Sequence, residues 1–296
     1  KSRRMAKNYF SLIRVSFLLM ACFSPLLLQA QNAKAQNSTY AGNFNFSIGL
    51  GSNFYSKSTL KFLGSGYDFS LDDVALWQNS PAFSMPDFSK LLSNQYNISV
   101  GYNIRRGVNL SLGIDRLKYG IKPGQSVFLN GYVSSEMDTF SNLSGQYTDE
   151  LINLDSARIQ FGSDVGMSFV SIELNLMQNL YRTKRRNFVV NAIYGIGAGV
   201  LHTNSTFNFG GFEESKSSLS GFGVNANAGL RFEFFKYFYV QPNLSASFLD
   251  QISVYTHQNA AKNTVSHFFG AFNSSISAGF IIYLKSKKDC DCPVWN

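Results

Sequence analysis

The chain has 296 residues, enough for one barrel with long loops or for two small domains. Only 15% of its residues are charged and 15% are aromatic, a low charge content for a soluble protein. Beyond the N-terminus no stretch approaches the roughly 20 unbroken apolar residues of a membrane helix, which excludes a helical membrane protein there.

The net charge of +8 is concentrated at one end. Residues 1–35 hold Lys1, Arg3, Arg4, Lys7, Arg14 and Lys34 and no acid; removing those six leaves 20 basic against 18 acidic residues, or +2. A basic surface for nucleic acid therefore has no support. The same residues 1–35 read as a secretory signal peptide: a basic stretch KSRRMAKNYFSLIR, an apolar core VSFLLMACFSPLLL, and a small-residue site Ala33-Lys34-Ala35 before Gln36. Residues 36–285 read as a barrel and 286–296 as a short periplasmic tail. The tail holds Cys290 and Cys292, too close for an unstrained bridge and too few for a metal site. No cofactor motif occurs.

Alternation of apolar with small or polar residues marks strands of period two. The first strand is Asn43–Phe54, with Phe44, Phe46, Ile48 and Leu50 against Asn45, Ser47, Gly49 and Gly51. A long connection from Tyr55 to Asn94 follows, with short alternations at Leu60 and Phe62 and at Tyr67, Phe69 and Leu71. The second strand is Tyr96–Ile104; the turn Arg105-Arg106-Gly107 leads to the third, Val108–Tyr119. The polar segment Lys122–Asp164 reads as a loop. The fourth strand is Gly166–Leu176, and a basic turn at Tyr181–Arg186 leads into the fifth, Phe188–Val200, where Gly195, Gly197 and Gly199 occupy the inner set.

The clearest pattern runs from Leu219 to Phe248. Phe222, Val224, Ala226, Ala228, Leu230, Phe232 and Phe234 alternate with Gly223, Asn225, Asn227, Gly229, Arg231 and Glu233. After a turn near Phe235–Tyr237 the alternation resumes. Glycine weakens a solvated strand but fits the crowded interior of a narrow barrel, so the polar set points inward and the apolar set meets lipid. The aromatics around Phe235–Tyr239 then form an interfacial girdle. The last strand spans about Phe268–Leu284.

The sum is all-β: an eight-stranded antiparallel transmembrane up-and-down β-barrel with long extracellular loops. Connections alternate long and short, as surface loops and periplasmic turns do. An interior this narrow is filled by side chains. Asp115, Glu173, Arg231 and Glu233 fall on its inward set and are expected to form an ion-pair network, with Arg231 facing Glu173. In the first loop Tyr67, Phe69, Trp77, Phe83 and Phe88 are candidate recognition aromatics; otherwise they cap the mouth or pack within the loop.

Several segments resemble small outer-membrane barrel proteins of the Bacteroidota: Gly66–Val74, Gly113–Tyr119, Val170–Leu174, Ala226–Leu230 and the Phe-Phe-Lys-Tyr-Phe turn at Phe234–Phe238. The third-strand segment of that family would carry histidine where this chain has Arg116, so no site is carried over there. The resemblance implies an eight-stranded outer-membrane barrel and implies no reaction. The expected role is non-enzymatic, structural or binding through loops, in the cell outer membrane. Its partners would be outer-membrane lipid and lipopolysaccharide, with a protein or glycan at the loops. Two alternatives remain. A lipid-modifying enzyme would require His202, His257 or His267 to meet a serine and a carboxylate or amide. A solute channel would require an open, water-filled lumen.

Overall fold

The structure, a computed structural model, describes residues 41–78, 95–136, 143–154, 159–209, 212–256 and 263–284. All lie in one compact unit, Ser38–Asn296. Among them no helix is long and apolar enough to cross a membrane. The signal segment, the cysteine tail, His257, Phe83 and Phe88 lie outside the described residues.

Eight strands form the barrel: β1 (Asn43–Tyr55), β5 (Tyr96–Arg105), β6 (Val108–Leu117), β10 (Ile159–Arg182), β11 (Phe188–Phe209), β12 (Phe212–Phe234), β13 (Phe238–Tyr255) and β14 (Thr264–Tyr283). Each pairs antiparallel with the next in that order. The ring closes because β14 pairs back onto β1, from Asn43↔Tyr283 to Tyr55↔Ala271. Closure leaves the membrane-embedded backbone without an unpaired edge, as hydrocarbon demands.

The two ends differ. At one end the hairpins are tight. The β12–β13 turn uses Phe235 and Lys236 at φ 52° and 71°, the twin left-handed geometry that matches strand twist. Arg105-Arg106-Gly107 and Thr183–Asn187 turn at the same end. In outer-membrane barrels such short turns face the periplasm, so the long connections are extracellular. Phe44, Tyr102, Tyr181, Phe235, Tyr237 and Phe238 are exposed around the tight end and make the expected girdle.

At the other end the strands do not stop where the lipid-type pattern stops. β10 to β14 run 24, 22, 23, 18 and 20 residues, well beyond the nine to eleven or so of a tilted membrane strand. β1, β5 and β6 are shorter and end near the boundary. Their place above it is taken by four strands from the segments read as loops: β2 (Ser58–Gly64), β3 (Tyr67–Val74), β8 (Gln125–Val133) and β9 (Gly145–Leu154). They continue the sheet from β14 in the order β2-β3-β8-β9. Two short pieces, β4 (Leu76–Trp77) and β7 (Gly120–Ile121), pair with each other, and β7 also reaches β10 at Gly120↔Gly162. The reading of Lys122–Asp164 as loop is thus corrected. Its two strands are short and set among turn residues, but their apolar sets find a core.

That core defines an upper storey. Leu60, Phe62, Tyr67, Phe69, Leu71, Val127, Leu129, Phe161, Phe207, Phe209, Val254 and Val265 are all buried together inside it. Phe62 stacks on Phe69 at 4.8 Å and on Phe207 at 5.5 Å. The lower storey is the reverse. Ile172, Ile196, Phe222, Val224, Leu244 and Ile276 are exposed outside, while Asn191, Asn225, Asn227, Ser275 and Ser277 are buried inside.

A charge on the lower outer face tests this assignment. Val224→Lys, halfway along β12, should destabilise the folded barrel in lipid vesicles by about 2–4 kcal/mol. Titrating the heat-modifiable gel band with denaturant reads that loss; an unchanged midpoint would mean the face is not in lipid.

Candidate functional site

The interior has two chemically distinct levels. The lower level surrounds a cavity of about 70 Å³, room for several waters. Its lining is amide, hydroxyl and glycine, with Asp115, Glu173 and Arg231. Neutral polar pairs cross between strands: Ser47 Oγ with Ser99 Oγ at 2.8 Å, Asn175 Nδ2 donating to Ser111 Oγ at 2.9 Å, and Ser277 Oγ donating to Asn97 Oδ1 at 3.1 Å. Asn103 donates to Asn43, and Asn109 Nδ2 to Asn103 Oδ1 at 3.0 Å. Inner glycines make room for these groups. A β-carbon at Gly195 would overlap Asn175 and Asn227, and one at Gly197 would overlap Asn225 and Glu173.

Three of the four inward charges, Glu173, Glu233 and Arg231, are held mainly by amides. Glu173 accepts from Asn225 Nδ2 at 2.6 Å and from Asn227 Nδ2 at 3.3 Å. Glu233 accepts from Asn191 Nδ2 at 2.7 Å. Arg231 donates from Nε to Gln241 Oε1 at 3.0 Å and lies over the Tyr239 ring at 4.1 Å, a cation–π contact. The expected Arg231–Glu173 pair does not form; Lys61 and Asp68 do pair, on the exposed upper face at 4.0 Å. Register is the reason. Glu173 stands opposite Gly197, which stands opposite Asn225. Arg231 is six residues along β12 from that level, about 20 Å.

Above the cavity the interior turns apolar. Met167, Phe169, Leu201, Leu249 and Phe269 are buried across the lumen. One polar cluster sits at this boundary. Gln251 Nε2 donates to Thr203 Oγ1 at 2.8 Å, while its Oε1 accepts from Tyr119 O–H at 2.7 Å and lies 2.6 Å from His267 Nε2. Ser58 Oγ is 3.4 Å from His267 Nδ1. Tyr119 lies beyond the strand end, and burial holds its phenol well above the usual range, so it stays a donor.

This cluster meets the serine–histidine–amide criterion set out above for an enzyme. Its setting opposes that use. His267 is 4% exposed, Gln251 is fully buried, and the imidazole stacks on Phe269 at 4.6 Å. Ser58 is itself 7% exposed. The exposed pair His202 Nε2 and Ser217 Oγ, 2.9 Å apart, has the opposite defect: no carboxylate or amide among the described residues orients that imidazole. Nor do three or more His, Cys, Asp or Glu side chains gather as a metal cage among those residues.

Of the candidate recognition aromatics, Tyr67 and Phe69 are buried in the upper core, packed within their own segment rather than offered to a partner. Trp77 is 43% exposed. The outward face of β2, β3, β8 and β9 carries aromatics that the sequence reading missed. Phe128 is 41% exposed, Tyr132 52% and Leu151 61%, with Leu63 nearby. Asp68, Asp72 and Asn130 lie between them, and Asn130 Nδ2 donates to Asp72 Oδ2 at 3.1 Å. The available signal was QSVFLNGYV, apolar on both parities.

No protein-family model matches the chain, and no curated protein matches it. Solved structures to which it is similar are outer-membrane barrels. The attachment invasion locus protein Ail of Yersinia pestis is 13% identical, covering 82% of this chain and 99% of that one, with a TM-score of 0.34. OprG from Pseudomonas aeruginosa is 10% identical over 84% and 99%, with a TM-score of 0.36. AlkL, determined in lipid bilayers, is 12% identical over 85% and 96%, with a TM-score of 0.39. At these scores the likenesses carry no argument about role. The chain's own closed ring, apolar outside and polar within, makes it a β-barrel of the cell outer membrane.

The amide ladder has a measurable weight. Asn225→Leu removes the 2.6 Å donor to Glu173 and should destabilise the barrel by about 1–3 kcal/mol in a urea titration in detergent micelles. A midpoint equal to that of the parent chain would show the amide to be dispensable.

Proposed function

We propose that this is a non-enzymatic outer-membrane protein whose upper storey is a recognition surface for a protein or glycan outside the cell. The observation that carries this reading is the pairing of a complete upper core with large apolar side chains left outside it. Phe62, Phe69 and Phe207 already satisfy that core, so Phe128, Tyr132 and Leu151 are not needed to build it. Exposed aromatics on a rigid sheet, rimmed by carboxylates and an amide, suit a partner that offers both flat apolar and hydrogen-bonding faces. Outer-membrane lipid, with lipopolysaccharide in its outer leaflet, would cover the apolar band below.

A diffusion channel is the weaker reading because Phe169, Leu201, Leu249 and Phe269 fill the lumen above the cavity. Membership of the Bacteroidota family remains part of the proposal. It is supported by the Gly66–Val74 segment, which here opens at a left-handed Gly66 (φ 97°) and runs through strand β3.

The test uses the full chain in lipid nanodiscs against immobilised glycans and extracellular matrix proteins. The parent chain should bind at least one above empty nanodiscs. The combined variant Phe128→Ser, Tyr132→Ser and Leu151→Ser should lose that binding by about tenfold or more while keeping its heat-modifiable gel band. Absence of binding by the parent, or equal binding by the variant, would overturn the proposal.

A further inference from the structure

The lower lumen carries an excess of negative charge without matching cations. Among the described residues its inward charges are Asp115, Glu173 and Glu233 against Arg231, and no ion pair joins them. Arg231, the one cation against these three acids, lines the same cavity and is engaged by Gln241 and Tyr239. Glu173 has two amide donors, which do not cancel its charge. Asp115 lines the same cavity and makes no hydrogen bond or ion pair with any described residue. An ionised carboxylate enclosed in a bilayer-embedded barrel requires a counter-charge or loses its own.

A second observation bears on what supplies that charge. Asn225 donates its Nδ2 to Glu173, so its Oδ1 lies close beside that carboxylate. This oxygen is buried, lines the cavity and has no hydrogen-bond partner. Ser275 Oγ, buried on the cavity wall, is likewise without a partner. Gly197 leaves room for Asn225 Oδ1 and the Glu173 side chain to lie over it, where a β-carbon would collide with both. The buried groups of the lining without a partner are the oxygens of Asn225, Asn243 and Ser275 and the Nδ2 of Asn45, beside the two carboxylates, with neither sulfur nor imidazole among the lining residues. That donor set suits a hard ion holding part of its water shell.

We propose that the cavity lined by Asp115, Glu173 and Asn225 binds a small hard cation, an alkali or alkaline-earth ion, as the counter-charge of the lumen. The ion is a structural ligand. The apolar fill above it leaves no conducting path, and the site is independent of the surface assigned to partner binding.

The experiment compares thermal unfolding of the full chain, folded in non-ionic detergent, in sodium, potassium, calcium and choline chlorides at equal ionic strength. Choline is too large for the cavity. The melting temperature should be higher by at least a few degrees in one or more of the metal salts than in choline, because a ligand of the folded state alone stabilises it. Asp115→Asn should abolish that difference without unfolding the barrel, since Asp115 has no protein hydrogen bond to lose. Glu173→Gln serves as the second variant and should abolish it too. Equal melting in all four salts would overturn the proposal. So would a metal effect that survives in both variants, which would place the ion on the exposed carboxylates of the upper storey. A melting temperature indifferent to cation but raised on acidification would also overturn it, a proton then being the counter-charge.

Discussion

Five strands of this barrel continue from hydrocarbon into water, β12 and β13 through a bulge, and the polarity of their two faces is exchanged on the way. β11 demonstrates the solution. Its inward positions are Gly195, Gly197 and Gly199, then Leu201, Thr203, Ser205, Phe207 and Phe209. Its outward positions are Ile196, Ala198 and Val200, then His202, Asn204, Thr206 and Asn208. Parity is kept and polarity is exchanged at Leu201 and His202. Everything else follows from that exchange: a polar interior within the membrane, an apolar interior above it, and a boundary where the two meet.

At that boundary a buried polar group has neither water nor an ion to lean on. The cluster of Tyr119, Gln251, Thr203 and His267 resolves this by mutual hydrogen bonds, each donor finding an acceptor within the protein. The lower level uses the same economy. Asparagine and serine give both donors and acceptors, so neutral groups pair across strands, while Asn225 Oδ1 and Ser275 Oγ are left without a protein partner. Among the inward charges Arg231 is held by an aromatic face and an amide oxygen.

Much of this was legible in the sequence. The period-two pattern located eight spanning strands, and the glycines of the inner set told the faces apart. The strand tops were not legible, for a physical reason. After Val200 the outward set becomes polar, and so the lipid signature ends although the strand does not. The hairpin within Tyr55–Asn94 showed as short alternations at Leu60 and Phe62 and at Tyr67, Phe69 and Leu71, whereas that within Lys122–Asp164 was hidden because a short amphipathic strand has meaning only against the surface it covers. Inward charge was legible, but its partners were not, because cross-strand register is fixed by hairpins and bulges that alternation does not encode. The shift in β10 between Asn179 and Tyr181 is one such irregularity.

The union of β2 with β14 bears on how the molecule is made. Ser58 and His267, 209 residues apart, meet in the upper core, and Leu60 to Leu63 pair with Thr264 to His267. The early hairpin pairs with β8 through β3, but its β2 edge has no final partner until the last strand is in place. Its greasy side, Leu60, Phe62, Phe69 and Leu71, is incompletely covered until then. Closure of so long a circuit is slow by nature. The late arrival of β14 thus acts as a single completion step, sealing the membrane ring and the external core at once. A truncated chain lacking β14 would expose both defects together.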